Sequence, residues 1–271
     1  MKLILIFGLL FPLSSYAVAA DFQPEKLTSP SGGRGYEEKL VKSFEVKKGG
    51  DFRLKADFGS VEVKTWPENK VEITVIKEAD TFSKQEAEEL FEMYQVDFNQ
   101  DSQGVWVRTE FPRFRRGHRL RVHFDVVVPY EYNLDIRTAS GSISVHDLKG
   151  RVELNTSGGS LNLGQIEGPI TGETSGGSIR IQGAKGRVNV HTSGGSISIG
   201  ETTGSVAAET SGGSISLDGV GDDVKVHTSG GSLDLKKLKG SVEASTSGGG
   251  IFAELLEDID NDCYLETSGG D

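Results

Sequence analysis

The residues best able to do chemistry in this chain are histidines and carboxylates, and four of them stand at a fixed spacing. Glu173, His191, Glu209 and His227 lie 18 residues apart, in a column that starts at Asn155 and ends at Ser245. Imidazole alternating with carboxylate could ligate zinc or copper, or titrate as a pH-sensitive stripe. Charge complementarity between stacked neighbours produces the same column without a metal and is the simpler reading. These four residues are therefore candidate ligands only, and the sequence assigns no metal and no cofactor.

Other groups offer less. A serine nucleophile needs a base within hydrogen-bond reach and a third group to orient that base. The serines here recur identically in every repeat, whereas a catalytic residue would break the pattern. Asp218, Asp222 and Asp223 are the nearest approach to a carboxylate pair for glycan hydrolysis, but they cluster at a turn. "EDIDNDCYLE" (257–266) places Asp258, Asp260 and Asp262 at alternate positions, like the opening of a calcium loop. The glycine and bidentate glutamate of such a loop would fall at Cys263 and Gly269, so the match fails. "RFRRGHRLR" (113–121) is a basic spot that could touch anionic lipid, and a charged loop leading into a strand explains it equally well. No catalytic residue is assigned.

What must position these side chains is a repeat. The threonine opening each "TSGG" falls at Thr138 (in the variant "TASGS"), Thr156, Thr174, Thr192, Thr210, Thr228 and Thr246, always 18 residues apart; Thr267 follows after 21. A fixed short period is the signature of stacked coils. Five and seven residues past each threonine stand apolar pairs such as Ile197 and Ile199. Fourteen past it comes valine or isoleucine, and sixteen past it bulk alternates through Leu154, Gly172, Val190, Ala208, Val226 and Ala244. One mostly polar residue separates each pair, which is the period of a half-buried strand and not of a helix. An antiparallel meander would reverse polarity between neighbours and would not need the same residue at every corner.

Each unit thus holds two short strands joined by two glycine-bearing corners. The "GG" corner is expected to bend the backbone sharply. Glycine twelve past the threonine, replaced once by Asp222, is expected to turn the chain at positive φ. Stacking would align threonines and serines in hydroxyl ladders. The fold class read from this is all-β, a β-solenoid of about seven stacked 18-residue two-strand coils with an N-terminal mixed β cap containing one short helix.

The cap is expected over residues 37–137, with the solenoid over 138–271. All aromatic residues except Phe252 and Tyr264 precede residue 138, which suits a bulky plug on the first coil. "SKQEAEELFEMY" (83–94) predicts the helix, with Ser83 and Glu86 as a capping box and Ala87, Leu90, Phe91 and Tyr94 on one face. "FGSVEV" echoes a repeat corner, so the cap should grade into the solenoid. The "TSGGS" units, "FGSVEVKTW" (58–66) and "VHFDVVVPYEYNLDIRTASGSISV" (122–145) together resemble the bacterial "putative adhesin" family, a domain-of-unknown-function family of β-strand repeat proteins. The resemblance covers roughly residues 40–271 and implies an exported β-solenoid. It brings no catalytic residues.

Residues 1–19 read as a signal peptide: Lys2, an apolar run from Leu3 to Leu13, then small residues up to Ala19 and Ala20. The run is too short for a transmembrane span, which needs about 20 residues. Residues 20–36 read as a flexible leader, and the location as periplasmic or extracellular. A formal charge of −11 disfavours nucleic acid as a partner. The leading function is a non-catalytic envelope or surface protein for adhesion or scaffolding, meeting an envelope or host-surface glycan or protein. The alternatives are a glycan-processing β-helix enzyme and a metal-responsive envelope binder using the Glu/His column. The final "LETSGGD" leaves a strand edge uncovered, from which we expect either more chain or self-association through that edge, with Cys263 close by.

The register makes a direct prediction. Val188→Asp places an unpaired carboxylate in the coil interior and should lower the melting temperature by many degrees. Asn189→Asp, one residue on and facing outward, should melt close to the parent. Equal shifts would refute the assignment of inside and outside.

Overall fold

The computed structural model describes residues 25–28 (backbone), 35–112, 120–256 and 262–270. The signal-peptide segment, most of the basic run 113–121 and the acidic run 257–261 lie outside these. Two sheets face each other along the whole length, one of 13 strands and one of 11. Each coil gives its first strand to the larger sheet and its second strand to the smaller. Ile143, Leu161, Ile179, Ile197, Ile215, Leu233 and Ile251 pair in parallel along the first. Leu134, Val152, Ile170, Val188, Val206, Val224, Val242 and Cys263 do so along the second. The 21-residue step thus keeps the stack in register, pairing Thr246 with Thr267.

Between the sheets runs one continuous apolar core, from Leu40 to Ala244. Val188 is fully buried while Asn189 is exposed, as the alternation requires. The large-to-small alternation at the sixteenth position is a packing device. A Cβ on Gly172 would press against Leu161 at 3.2 Å and Val190 at 3.3 Å, so its bulky neighbours occupy that space.

A third inward column escaped the pattern. Ten residues past the threonine stand Leu148, Ile166, Ala184, Thr202, Val220 and Leu238, all buried. The first strands run on to reach them, as in Leu161–Glu167 and Ile197–Thr202. Two residues rather than one separate this column from the preceding inward position, which breaks the alternation. In two of the coils Gly219 and Lys237 take positive φ there, at 88° and 53°.

The corners differ from expectation in their chemistry. Hydroxyls bond to backbone rather than to one another. Thr192 Oγ1 donates to Gly177 O of the preceding coil at 2.8 Å and accepts from Gly195 N of its own corner at 3.4 Å. The same two bonds recur at Thr156, Thr174, Thr210, Thr228 and Thr246. Ser142, Ser160, Ser178, Ser196 and Ser214, four past their threonines, each accept from the next coil's backbone, as Ser178 Oγ does from Ser196 N at 3.3 Å. Nor does the second glycine of these corners serve chiefly for positive φ. A Cβ on Gly195 would overlap the carbonyl of Gly177, so glycine there is required by the close approach of stacked backbones. The glycines twelve past the threonine do take positive φ, as expected, at Gly150, Gly168 and Gly186 (153°, 157° and 156°), and close approach adds a second requirement, since a Cβ on Gly168 would overlap Gly150 O.

The cap grades into the stack by supplying coils of its own, out of chain order. Strands Asp51–Ala56 and Ser60–Trp66 form a coil in register with the first solenoid coil, Ala56 opposite Thr138 and Val61 opposite Ile143. Strands Gly104–Glu110 and Leu120–Pro129 pair in parallel on its other side. Antiparallel strands then close the end: Gln95–Gln100 on one sheet, Lys70–Ala79 and Tyr36–Glu45 on the other. The flexible-leader reading needs correction at Glu25–Thr28, which pairs antiparallel with Tyr36–Glu45, where an open edge offers unpaired backbone groups.

Helix α1 (Lys84–Met93) covers this end with Ala87, Leu90, Phe91 and its C-cap Tyr94 buried. Tyr94 Oη donates to Phe58 O at 2.7 Å, and its ring meets Phe58 edge-on at 5.0 Å. The capping box is only half formed: Ser83 Oγ accepts from Glu86 N at 3.2 Å, but the Glu86 carboxylate bonds Thr81 Oγ1 instead of returning to Ser83. The last turn carries no cation of its own, and buried Lys77 supplies one, donating to Phe91 O at 2.9 Å and pairing with Glu38 at 2.8 Å.

The two glycines of a corner should respond differently to alanine. Gly194→Ala puts a Cβ 3.4 Å from Gly176 O, an ordinary contact, and should cost less than about 1 kcal/mol. Gly195→Ala must push two coils apart and should cost more, roughly 1–3 kcal/mol, in the range of overpacked interiors. Denaturant melts of the two variants decide this, and equal costs would show that coil approach does not set the requirement.

Candidate functional site

The outer face of the 11-stranded sheet carries the column singled out from the sequence. Strand register sets Asn155, Glu173, His191, Glu209, His227 and Ser245 opposite one another, one per coil. Side chains at equivalent positions on adjacent strands interact. Asn155 Nδ2 donates to Glu173 Oε2 at 3.0 Å, His191 Nδ1 lies 3.8 Å from Glu209 Oε2, and His227 Nδ1 lies 2.8 Å from Ser245 Oγ. The contacts link neighbours pairwise along the axis. Among the described residues no three of these side chains bring ligand atoms within 4.8 Å of one another. The column is a polar stripe in which carboxylates alternate with imidazoles.

Beside the stripe, smaller side chains open a shallow groove of about 700 Å³. Ser205 and Ala207 form part of its lining, with Arg187, Lys225 and Glu243 among the longer side chains around it and Tyr264 from the last described strand. Tyr264 is 59% exposed, so one aromatic face is available to a ligand next to charges of both signs. Ion pairs between successive coils, such as Lys225–Glu243 at 2.7 Å, are exposed and contribute little to stability.

The turn aspartates have structural partners. Asp218 pairs with Lys237 at 2.9 Å, Asp222 Oδ1 accepts from Asp223 N at 2.9 Å, and Asp223 Oδ1 accepts from Ser241 N in the next coil at 3.0 Å. At the end of the basic run, Arg121 pairs with Glu78 at 3.2 Å. Asp262, at the end of the acidic run, accepts from Val242 N through its carbonyl at 3.0 Å. In the last described coil Cys263 is exposed, as are Phe252, Tyr264 and Leu265.

One cluster was not singled out from the sequence. On the outer face of the larger sheet, Ser60–Trp66 lies beside Leu120–Pro129, with Ser60 opposite His123 and Glu62 opposite Asp125. His123 Nε2 lies 3.0 Å from Asp125 Oδ1, and the ligand atoms of Glu62, His123 and Asp125 all fall within 4.8 Å of one another. From the next coil, His146 Nε2 reaches Glu62 Oε1 at 3.0 Å, while Lys64 Nζ lies 3.0 Å from Glu62 Oε2. The bonded His146 ring first, and the Lys64 ammonium after it, hold the Glu62 carboxyl below the ordinary carboxylate range. "VHFDV" does place His123 and Asp125 on one face, and that signal was available. Their meeting with Glu62 depends on a pairing across 60 residues that lies outside the 18-residue period.

Residues 52–271 match the Toastrack DUF4097 family. A crystal structure of a "putative adhesin" from Bacteroides fragilis NCTC 9343 is similar at 11% identity, over 84% of this chain and 96% of that one, with a TM-score of 0.48. A "putative cell adhesion protein" from Clostridium sporogenes ATCC 15579 aligns over 85% of this chain and 99% of that one at 11% identity and a TM-score of 0.32. A "putative lipid binding protein" from Parabacteroides distasonis ATCC 8503 aligns over 85% and 94% at 10% identity and a TM-score of 0.31. No curated protein matches the chain.

Proposed function

The chain belongs to the Toastrack DUF4097 family, and from that premise we propose that it is an exported, non-catalytic envelope or surface protein that holds a glycan or protein on its outer sheet face. The observation that carries this reading is the division of labour within each coil. Inward columns and corner hydroxyls are committed to the stack, while the outward columns vary freely from coil to coil. Such a stack is a rigid support on which binding groups are held at strand spacing, so a partner meets an ordered array rather than a mobile loop. The groove beside Ser205 and Ala207, with Arg187, Lys225 and Tyr264 around it, has the mixed chemistry that sugar hydroxyls or a polar peptide would meet. Among the described residues no helix is long and apolar enough to cross a membrane, and export rests on the reading of residues 1–19.

A glycan-processing enzyme would need an acid and a base facing one bond. The aspartates nearest to that arrangement are engaged in turns and coil contacts, which favours the scaffold reading.

The test is retention of the purified protein on an array of envelope glycans and surface proteins, beside an Ala207→Trp variant that fills the groove. We expect saturable retention of one class, weakened at least fivefold in the variant while its melting temperature stays within a few degrees of the parent. Retention indifferent to Ala207→Trp, or release of cleaved glycan, would contradict the proposal.

A further inference from the structure

We propose that Glu62, His123 and Asp125 form a binding site for a first-row divalent cation of the zinc type, on the outer face between the two parallel coils that the cap supplies. This goes beyond the scaffold reading and does not depend on it.

Three observations carry the assignment. The donor set is one imidazole nitrogen and two carboxylates, all within 4.8 Å, and zinc accepts this mixture whereas calcium and magnesium prefer oxygen alone. A tetrahedral zinc with bonds of about 2.0–2.2 Å sets its ligand atoms roughly 3.3–3.6 Å apart. His123 Nε2 and Asp125 Oδ1 already stand 3.0 Å apart, so small side-chain rotations would replace a shared proton by the metal. These two ligands come from one strand, at alternate positions on its outer face, and Glu62 comes from the neighbouring strand, so sheet register rather than a loop holds all three.

The surroundings fit as well. His123 Nδ1 lies 3.4 Å from Ser60 Oγ, which fixes the ring with Nε2 toward the carboxylates. His146 Nε2, 3.0 Å from Glu62 Oε1, orients that carboxylate. Ser60 and His146 are thus positioning residues, in the role that outer hydrogen-bond partners play around bound zinc. Lys64 neutralises Glu62 while no metal is present and is free to swing into solvent, its side chain being half exposed. The three ligands are each about one-third exposed, which leaves an open side for water or for a group on a partner molecule.

The site is distinct from the Glu173–His227 stripe, and the experiment separates them. Chelator-stripped protein is titrated with zinc chloride by calorimetry and melted with and without the metal; cobalt(II) serves as a spectroscopic probe and calcium chloride as a control. We expect one zinc per chain, a raised melting temperature, a cobalt(II) d–d absorption band, and no shift with calcium. His123→Ala and Asp125→Asn should each abolish the zinc-dependent shift and the cobalt band at concentrations that saturate the parent. His146→Ala should weaken zinc by roughly 10–100-fold while leaving the metal-free melting temperature nearly unchanged. The double variant His191→Ala with His227→Ala should bind zinc like the parent. If His123→Ala fails to fold, Asp125→Asn and Glu62→Gln, near-isosteric and on the surface, give the same readout. Absence of saturable zinc binding to the parent, full binding by Asp125→Asn, loss of binding in the His191/His227 variant, or an equal shift with calcium would overturn the assignment. None of those results would touch the scaffold reading, which the glycan and protein array tests alone.

Discussion

The buried threonine hydroxyl at each corner is the contact on which the rest of the stack depends. It faces the core rather than water, with Thr192, Thr210 and Thr228 wholly buried, so it must find partners within the protein. It finds them in two different coils: the second-glycine amide of its own corner and the second-glycine carbonyl of the coil before. One side chain therefore both shapes a turn and ties that turn to its neighbour. The tie works only if the two backbones come close, and the absence of a Cβ at the second glycine permits this. A buried hydrogen-bonding group left without its partner costs about 1–3 kcal/mol, and the motif recurs at each corner from Thr156 to Thr267, so the corners help to fix register beside the apolar core.

Once the corner sets the spacing, the remaining features follow. Aliphatic columns stack at strand distance and fill the space between two sheets, while outward positions are left to solvent and to partners. The variation there is chemical rather than structural: Asn189, Ala207, Lys225, Glu243 and Tyr264 occupy one column with no change in backbone register. This arrangement lets the chemistry of the outward face change while the fold does not.

Much of this was legible in the sequence because an 18-residue period repeats every structural requirement seven times. The inward positions at five, seven, fourteen and sixteen past the threonine emerged with their alternation intact. The column at ten did not, since Ala184 and Thr202 dilute its apolar character and an extra residue disrupts the alternation before it. The corner glycines were recognisable, but turn geometry is the reason a local pattern suggests, and the carbonyl of the preceding coil is a neighbour only in space. The Glu/His stripe was fully predictable, being part of the repeat. The cap was less so. Its coil at 51–66 lies between a coil formed by 104–129 and one formed by 133–145, and no period announces that order. The Glu62–His123–Asp125 cluster arises from that long-range pairing and stayed hidden for the same reason.

The central claim is that the threonine hydroxyl couples adjacent coils, and native-state hydrogen exchange on Thr192→Val measures it most directly. Valine keeps the shape and removes the hydroxyl, so the amide of Gly195 loses its acceptor and the carbonyl of Gly177 loses a donor. The account predicts faster exchange at Gly195 and a loss of roughly 1–3 kcal/mol in global stability, with protection reduced in the coils on both sides of the substitution. Unchanged protection at Gly195 together with unchanged stability would contradict it, and would leave the apolar core as the sole source of register.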